Sequence, residues 1–250
     1  MPRPILSVVV PVYNEAGNIE AVVREAHSKL SSAGDFEIIF VNDGSSDETG
    51  SLLERLARGA QALRTVSHSR RSGKSAALRT GFMVARARWV ATMDGDGQND
   101  PDDIVAMAKA IDLTKVGEVG LVAGIRKTRN DGASRKTASK LANNLRRALL
   151  HDDCPDTACG LKLIPRDLFL AFPFFDSLHR YLPAFARHYG FQTRYVMVND
   201  RPRTSGASKY SNIGRAFAGI WDLLGVMWLM RRTSLPPEQR LLSIESADAS

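Results

Sequence analysis

The chain reads as an α/β protein with a mostly parallel sheet covered on both faces. Three observations predict this. Apolar runs and helical patterns alternate through the first half, 250 residues at 44% hydrophobic content suffice for a large core, and the apolar runs end in polar residues that converge on one rim.

The order of elements follows from periodicity. "ILSVVVPVY" predicts a first strand and "NIEAVVREAHSKL" a helix; "FEIIFVND" and "DETGSLLERLA" repeat the pair. A short strand at "LRTVSH", a helix over "KSAALRTGFMVAR", the strand "RWVATMD" and a helix over "PDDIVAMAKAI" continue the βαβ grammar. Asp100, Pro101, Asp102 and Asp103 suit that last helix start, with proline in the first turn and carboxylates at the positive end of the dipole. "GLVAGIRK" and "TRYVMVND" predict later strands. In such a sheet ligands sit beyond the carboxyl ends of the strands, here marked by Tyr13, Asn14 and Glu15, by Asn42 and Asp43, and by Asp94 and Asp96.

Charge divides the chain. The formal net charge is +7, and the stretch from Arg126 to Arg147 carries eight Lys or Arg against one acid, Asp131. Ala138, Leu141, Ala142, Leu145, Ala148 and Leu149 recur at helical spacing there, with Arg135, Ser139 and Asn143 along a neighbouring edge. That edge is either an anion-binding face or a solvated basic one. Ile213 to Met230 is apolar on most faces, with Trp221 and Trp228 seven apart and Arg231 and Arg232 following. It reads as an amphipathic helix in a membrane interface or as a helix packed on the domain, and it is short and charged for a membrane span. The expected organisation is a catalytic domain over 1–212, this helix over 213–232 and a disordered tail over 233–250. Two cysteines, Cys154 and Cys159, with no CxxC pair, argue against a disulfide framework or a zinc site. The N-terminus reads as a strand rather than an export signal, so a cytoplasmic setting is expected.

"MDGDGQNDP" carries the chemistry. At the end of a strand, residues i and i+2 point the same way, so Asp94 and Asp96 present two carboxylates to one spot while Gly95 and Gly97 permit a tight turn. Such an oxygen-rich pair suits Mg²⁺ or Mn²⁺; an ordinary turn is the alternative when the triplet stands alone. "GKS" at Gly73 to Ser75 is not a P-loop, because His68 stands where that motif needs its first glycine. No G-x-G-x-x-G follows the first strand. Asp43 ends an apolar strand, where an exposed acid can accept from a ligand's N–H groups, while Ser46 or Asp47 suits a helix cap.

"VVVPVYNEAGNI", "FVNDGSSDET", "MDGDGQNDP" and "RPRTSGASKY", in order between Leu6 and Arg232, resemble the inverting family 2 glycosyltransferases of the dolichyl-phosphate mannose synthase and bacterial polyprenyl-phosphate branch. The resemblance implies a GT-A nucleotide-binding fold. It implies that Pro11, Tyr13 and Glu15 lie against the nucleotide, that Asp43 accepts from its base, and that Asp94, Asp96 and Gln98 hold the divalent ion and the donor diphosphate. It further implies that Arg126, Arg135 and Ser139 hold the acceptor phosphate and that Arg203 and Lys209 belong to a loop closing over the pyrophosphate. The expected partners are a nucleoside diphosphate sugar, a polyprenyl phosphate and the membrane surface, with a membrane protein or a second copy as a further anchor and no nucleic acid. A phosphate monoester is largely a dianion at neutral pH, so it needs relief from charge repulsion rather than a base.

Asp156 in "DTACGLK" would serve as base were the acceptor a saccharide hydroxyl, and is otherwise a turn residue. His179 and Arg180 would border the acceptor groove, and Lys162 would help hold phosphate. A non-catalytic nucleotide-binding module at the membrane surface is the alternative from another class.

Overall fold

In the computed structural model, which describes residues 3–127, 146–202 and 212–233, seven strands form one sheet: β1 (Leu6–Val12), β2 (Phe36–Asn42), β3 (Leu63–Ser67), β4 (Trp89–Thr92), β5 (Val119–Arg126), β6 (Lys162–Pro165) and β7 (Gln192–Val198), in the order β3-β2-β1-β4-β6-β5-β7. The helices are α1 (Ala16–Leu30), α2 (Thr49–Arg58), α3 (Lys74–Val84), α4 (Pro101–Lys109), α5 (Arg166–Ala171), α6 (Leu182–His188) and α7 (Asn212–Arg232). β1 runs parallel to both β2 and β4, and β5 parallel to β7. β6 is antiparallel to β4 and β5 and sits between them, a hairpin-like insertion that the βαβ pattern does not announce.

Alternation along β1 builds the two layers. Val8 and Val10 face α1 and α4, where Ile19, Val23 and Ile104 are buried against them, while Val9 faces the other way onto Ala77, Leu78 and Phe82 of α3. Each fully buried Val, Leu or Phe is worth about 1.5–3 kcal/mol over exposure. Phe82 stacks on Phe169 of α5 with ring centroids 3.8 Å apart, fixing α3 against α5. At the opposite edge from the polar rim, buried Glu37 accepts from Ser7 Oγ at 2.6 Å, from the Arg86 N–H at 2.7 Å and from Arg64 and Arg86 side chains at 2.9 Å. Burial pushes the Glu37 carboxyl up, but these donors together hold it below its ordinary 4.5.

The start of α4 follows the expectation: Asp100 accepts from the Asp102 N–H at 3.1 Å with Pro101 in the first turn. Residues 128–145 of the basic stretch lie outside the described residues. At the end of that stretch Arg146 is buried rather than solvated, with Nη1 donating to Asp152 and Nη2 to the carbonyl of Cys154. α7 has two faces among the residues whose side chains are described. Leu223 and Val226 are buried in the core with Met227 and Met230 packed beside them, whereas Ile220, Trp221, Leu224 and Trp228 stand exposed. No helix among the described residues is long and apolar enough to cross a membrane.

Candidate active site

The sheet order reverses at β1, whose carboxyl end lies between those of β2 and β4, and the polar rim forms there. After β1, Asn14 adopts φ 53° and interlocks with the loop after β2. Its N–H donates to Ser45 Oγ at 2.9 Å and its Oδ1 accepts from the Ser46 N–H at 2.8 Å. The Glu15 N–H donates to Thr49 Oγ1, while the Glu15 carboxylate accepts from Asn18 one helical turn on. Asp47 accepts from the Thr49 N–H at the entry to α2, but the N-cap position there is Glu48 and carries no side-chain cap, so neither Ser46 nor Asp47 holds the expected cap; Ser46 meets Asn14 instead. Pro11 and Tyr13 are half-buried at this rim, and the Arg71 guanidinium lies over the Tyr13 ring, 4.3 Å from its centroid.

Asp43 departs from the expectation of an exposed acid. It is 4% exposed, and its carboxylate accepts from the Ser72 and Gly73 N–H groups at 2.8 Å each, with His68 Nδ1 at 2.9 Å. His68 also reaches Thr80 Oγ1 through Nε2. The N–H donors come from the chain because β3 lies beside β2, which brings the loop entering α3 over the end of β2. Asp43 thereby fixes where α3 begins.

The first residue of α3 is Lys74, and its ammonium pairs with Asp94 Oδ1. Burial pushes the Asp94 carboxyl up; Lys74, with Lys162 and Arg126 nearby, overcomes this and holds it below the ordinary range. Asn99 closes the loop by accepting from the Asp94 N–H at 2.9 Å. Asp96, 9% exposed, accepts from the Gln98 N–H at 3.2 Å. Gly95 lies where a Cβ would collide with Val12, and Gly97 has φ 78°, so both glycines are required by the turn. The crowded carboxylates of "DGDGQND" are thus offset by cations from elsewhere in the chain. Lys74 serves Asp94, and Lys29 (2.6 Å) and Arg201 serve Asp100.

Gln98, expected with the metal, donates from its amide to the Arg201 carbonyl at 3.1 Å, and the Arg201 N–H returns to the Gln98 carbonyl. This ties the loop to the segment entering "RPRTSGASKY". Arg203 and Lys209 in that segment, like Arg135 and Ser139 of the basic stretch, lie outside the described residues.

A second loop, residues 156–160, forms the floor. Asp156 receives the Arg126 guanidinium in a two-pronged contact, Nε to Oδ2 at 2.8 Å and Nη2 to Oδ1 at 2.9 Å, while Asp200 lies 3.8 Å from Nη1. The Asp156 contact, against some cost of burial, raises the Arg126 pKa above its ordinary value. Lys162, expected at phosphate, is 3% exposed and donates instead to the Cys159 carbonyl at 2.6 Å and the Thr157 carbonyl at 3.3 Å. Thr92 Oγ1 donates to the Gly160 carbonyl at 2.6 Å, and Gly160 lies directly against the Asp94 carboxylate. His179, in the short turn Leu178–Arg180, hydrogen-bonds Ser75 through Nδ1 at 2.9 Å. Burial, then the charges of Lys74, Arg180 and Lys162, keep its imidazole neutral.

Among the described residues no three His, Cys, Asp or Glu side chains converge. Asp94 and Asp96 are carboxylates of the hard-oxygen kind a divalent cation takes, and they could hold one that completes its shell with water and phosphate oxygens. Lys74 already shows Asp94 accepting a cation.

Lys74 and Asp200 escape a motif search because their partners, Asp94 and Arg126, lie elsewhere in the chain; Asn99 stands inside the motif and serves its turn through the Asp94 N–H. One signal existed for Lys74: in a βαβ sheet the first turn of a crossover helix abuts the same rim as the strand ends.

The chain is 36% identical over 236 residues to dodecaprenyl-phosphate galacturonate synthase of Rhizobium johnstonii, covering 92% of this chain and 69% of that protein. It is 31% identical over 247 residues to undecaprenyl-phosphate 4-deoxy-4-formamido-L-arabinose transferase of Pseudomonas fluorescens, covering 97% and 69%. The fold resembles glucosyl-3-phosphoglycerate synthase from Mycobacterium tuberculosis, solved with Mn²⁺, uridine diphosphate and phosphoglyceric acid (TM-score 0.67, 20% identity, 93% of this chain and 80% of that one). It also resembles a mannosyltransferase from Pyrobaculum calidifontis solved with GDP-mannose and Mn²⁺ (TM-score 0.62, 20% identity, 99% and 70%). The sheet and its helices are therefore of the GT-A kind. Residues 7–171 match glycosyl transferase family 2, to which this chain belongs: it is a glycosyltransferase rather than a non-catalytic nucleotide-binding module.

Proposed function

We propose that this glycosyltransferase moves a sugar from a nucleoside diphosphate donor to a polyprenyl phosphate at the cytoplasmic membrane face, with inversion at the anomeric carbon. The acceptor class is supported by the names of the relatives, a dodecaprenyl-phosphate galacturonate synthase and an undecaprenyl-phosphate sugar transferase. The observation that carries the reading within the site is the two-pronged contact between Arg126 and Asp156. A hydroxyl acceptor requires a base with an oxygen open to it, yet Asp156 has both oxygens committed to the Arg126 guanidinium. An acceptor that arrives ionised requires only positive charge and orientation.

In this reading Tyr13, Pro11 and Glu15 form the nucleotide end of the rim, and Asp43 shapes it through the Ser72–Gly73 backbone. Mg²⁺ or Mn²⁺ on Asp94 and Asp96 would supply positive charge for the diphosphate as it leaves. Arg126 orients the acceptor phosphate, with Arg135 and Ser139 contributed by the basic stretch and Arg203 and Lys209 by the donor loop. One acceptor phosphate oxygen bonds to the anomeric carbon from the face opposite the leaving group. The bond from that carbon to the diphosphate oxygen breaks, and the nucleoside diphosphate departs with the electron pair. No proton need move.

The exposed Ile220, Trp221, Leu224 and Trp228 of α7, followed by exposed Arg231 and Arg232, suit an interfacial helix on an anionic bilayer. The test is incubation of the protein with UDP- and GDP-sugars, undecaprenyl phosphate and Mn²⁺, followed by mass spectrometry of the lipid fraction. One donor should yield a glycosylated lipid phosphate. Absence of product from every donor, with nucleotide still bound, would refute the acceptor assignment.

A further inference from the structure

We propose that Lys74 is an internal counter-ion that occupies Asp94 until a divalent cation displaces it, and that the freed ammonium then moves to the donor diphosphate. The inference rests on the metal reading of Asp94 and Asp96 given above.

Three features carry it. First, Lys74 is delivered to Asp94 by a built path: Asp43 grips the Ser72 and Gly73 N–H groups, α3 starts at the next residue, and the ammonium reaches Asp94 Oδ1. Second, the pair is accessible, with side chains 34% and 31% exposed, so a hydrated ion can reach the carboxylate. Third, the surroundings are already rich in positive charge. Lys162 and Arg126 both act on Asp94, and Lys74 itself acts on Lys162 and His179. A dication entering beside these groups repels the ammonium most readily displaced, the one on a flexible four-carbon stem. Lys162 is held in place, 3% exposed and with two of its three donors on the Cys159 and Thr157 carbonyls. A donor diphosphate arriving with the metal offers Lys74 new oxygens within the same cleft. Metal and donor binding are then coupled through one side chain, and each strengthens the other.

Chelator-washed full-length protein is titrated with Mn²⁺ while free Mn²⁺ is followed by electron paramagnetic resonance, with and without UDP or GDP. Lys74→Met is expected to bind Mn²⁺ alone about fivefold tighter than the wild type, the modest factor suiting an ion pair one third exposed. Lys74→Arg, which restores a cation, should return affinity toward the wild-type value. The enhancement of Mn²⁺ binding by nucleotide should shrink in Lys74→Met. Equal or weaker Mn²⁺ binding by Lys74→Met overturns the inference while leaving the metal site standing. No Mn²⁺ binding by any form, with or without nucleotide, overturns the metal reading and this inference with it. A second measurement needs no variant: amine-acetylation of Lys74 in the wild type, read by peptide mass spectrometry, should rise several-fold on adding Mn²⁺ and fall when UDP or GDP follows. Labelling unchanged by Mn²⁺ also overturns it.

Discussion

Gly160→Ala should damage the site while sparing the fold. A Cβ at this position would lie 2.5 Å from Asp94 Oδ2, 2.7 Å from Cγ and 2.9 Å from Oδ1. Ordinary contact needs about 3.5 Å, so something must give by roughly 1 Å. The Gly160 backbone is held by Thr92 on its carbonyl, and the neighbouring Cys159 carbonyl by Lys162. The Asp94 carboxylate is the end of a side chain, so it is the partner that yields. The cost to stability is about 1 kcal/mol, near the low end for overpacking, and a melting temperature lower by roughly 2–4 °C is expected. A displacement of that size at a metal ligand is expected to lower kcat/KM about 100-fold and weaken Mn²⁺ binding. The assay is initial-rate transfer with the donor found by the sugar panel, alongside a thermal melt. Gly117→Ala is the control, since nothing lies within 4 Å of its added Cβ. Wild-type turnover in Gly160→Ala would refute the reasoning, as would a melting temperature lowered by more than about 8 °C, which would mean the loop had moved instead.

Three further outcomes follow from particular contacts. Asp156→Asn should retain measurable transfer while the acceptor KM rises about tenfold, because Arg126 loses its clamp; complete loss of kcat at saturating acceptor would favour a base role instead. Glu37→Ala should destabilise by about 3 kcal/mol, or roughly 6–12 °C in melting temperature, as four donors lose their acceptor. Because the folded Glu37 carboxyl sits below 4.5, its contribution is fully present above that pH and is lost as pH falls through the folded value; melts from pH 7 to pH 3 should show the wild-type advantage over Glu37→Ala shrinking only below about pH 4.5. Trp221→Asp combined with Trp228→Ser should lower sedimentation with anionic vesicles at least tenfold while the melting temperature stays within about 2 °C, since these side chains are 72% and 62% exposed; unchanged vesicle binding would remove α7 from the membrane contact.

The α/β class, the succession of β1 to α4, the capped start at Asp100 and Pro101 and the tight turn through Gly95 and Gly97 were legible in the sequence, because each depends on periodicity or turn chemistry within a few residues. The family resemblance was legible for the same reason, being carried by short motifs in order. What tertiary structure decided lies between distant segments. The antiparallel β6 entered between β4 and β5, and Asp43 turned from exposed acid to buried acceptor. Lys74 reached Asp94 across 20 residues, and Arg126 met Asp156 across 30. α7 acquired one packed and one exposed face from its seat on the core. Side-chain pairing at such separations is set by strand order and crossover geometry, so composition reveals that compensating charge exists but only the folded chain determines which cation meets which carboxylate.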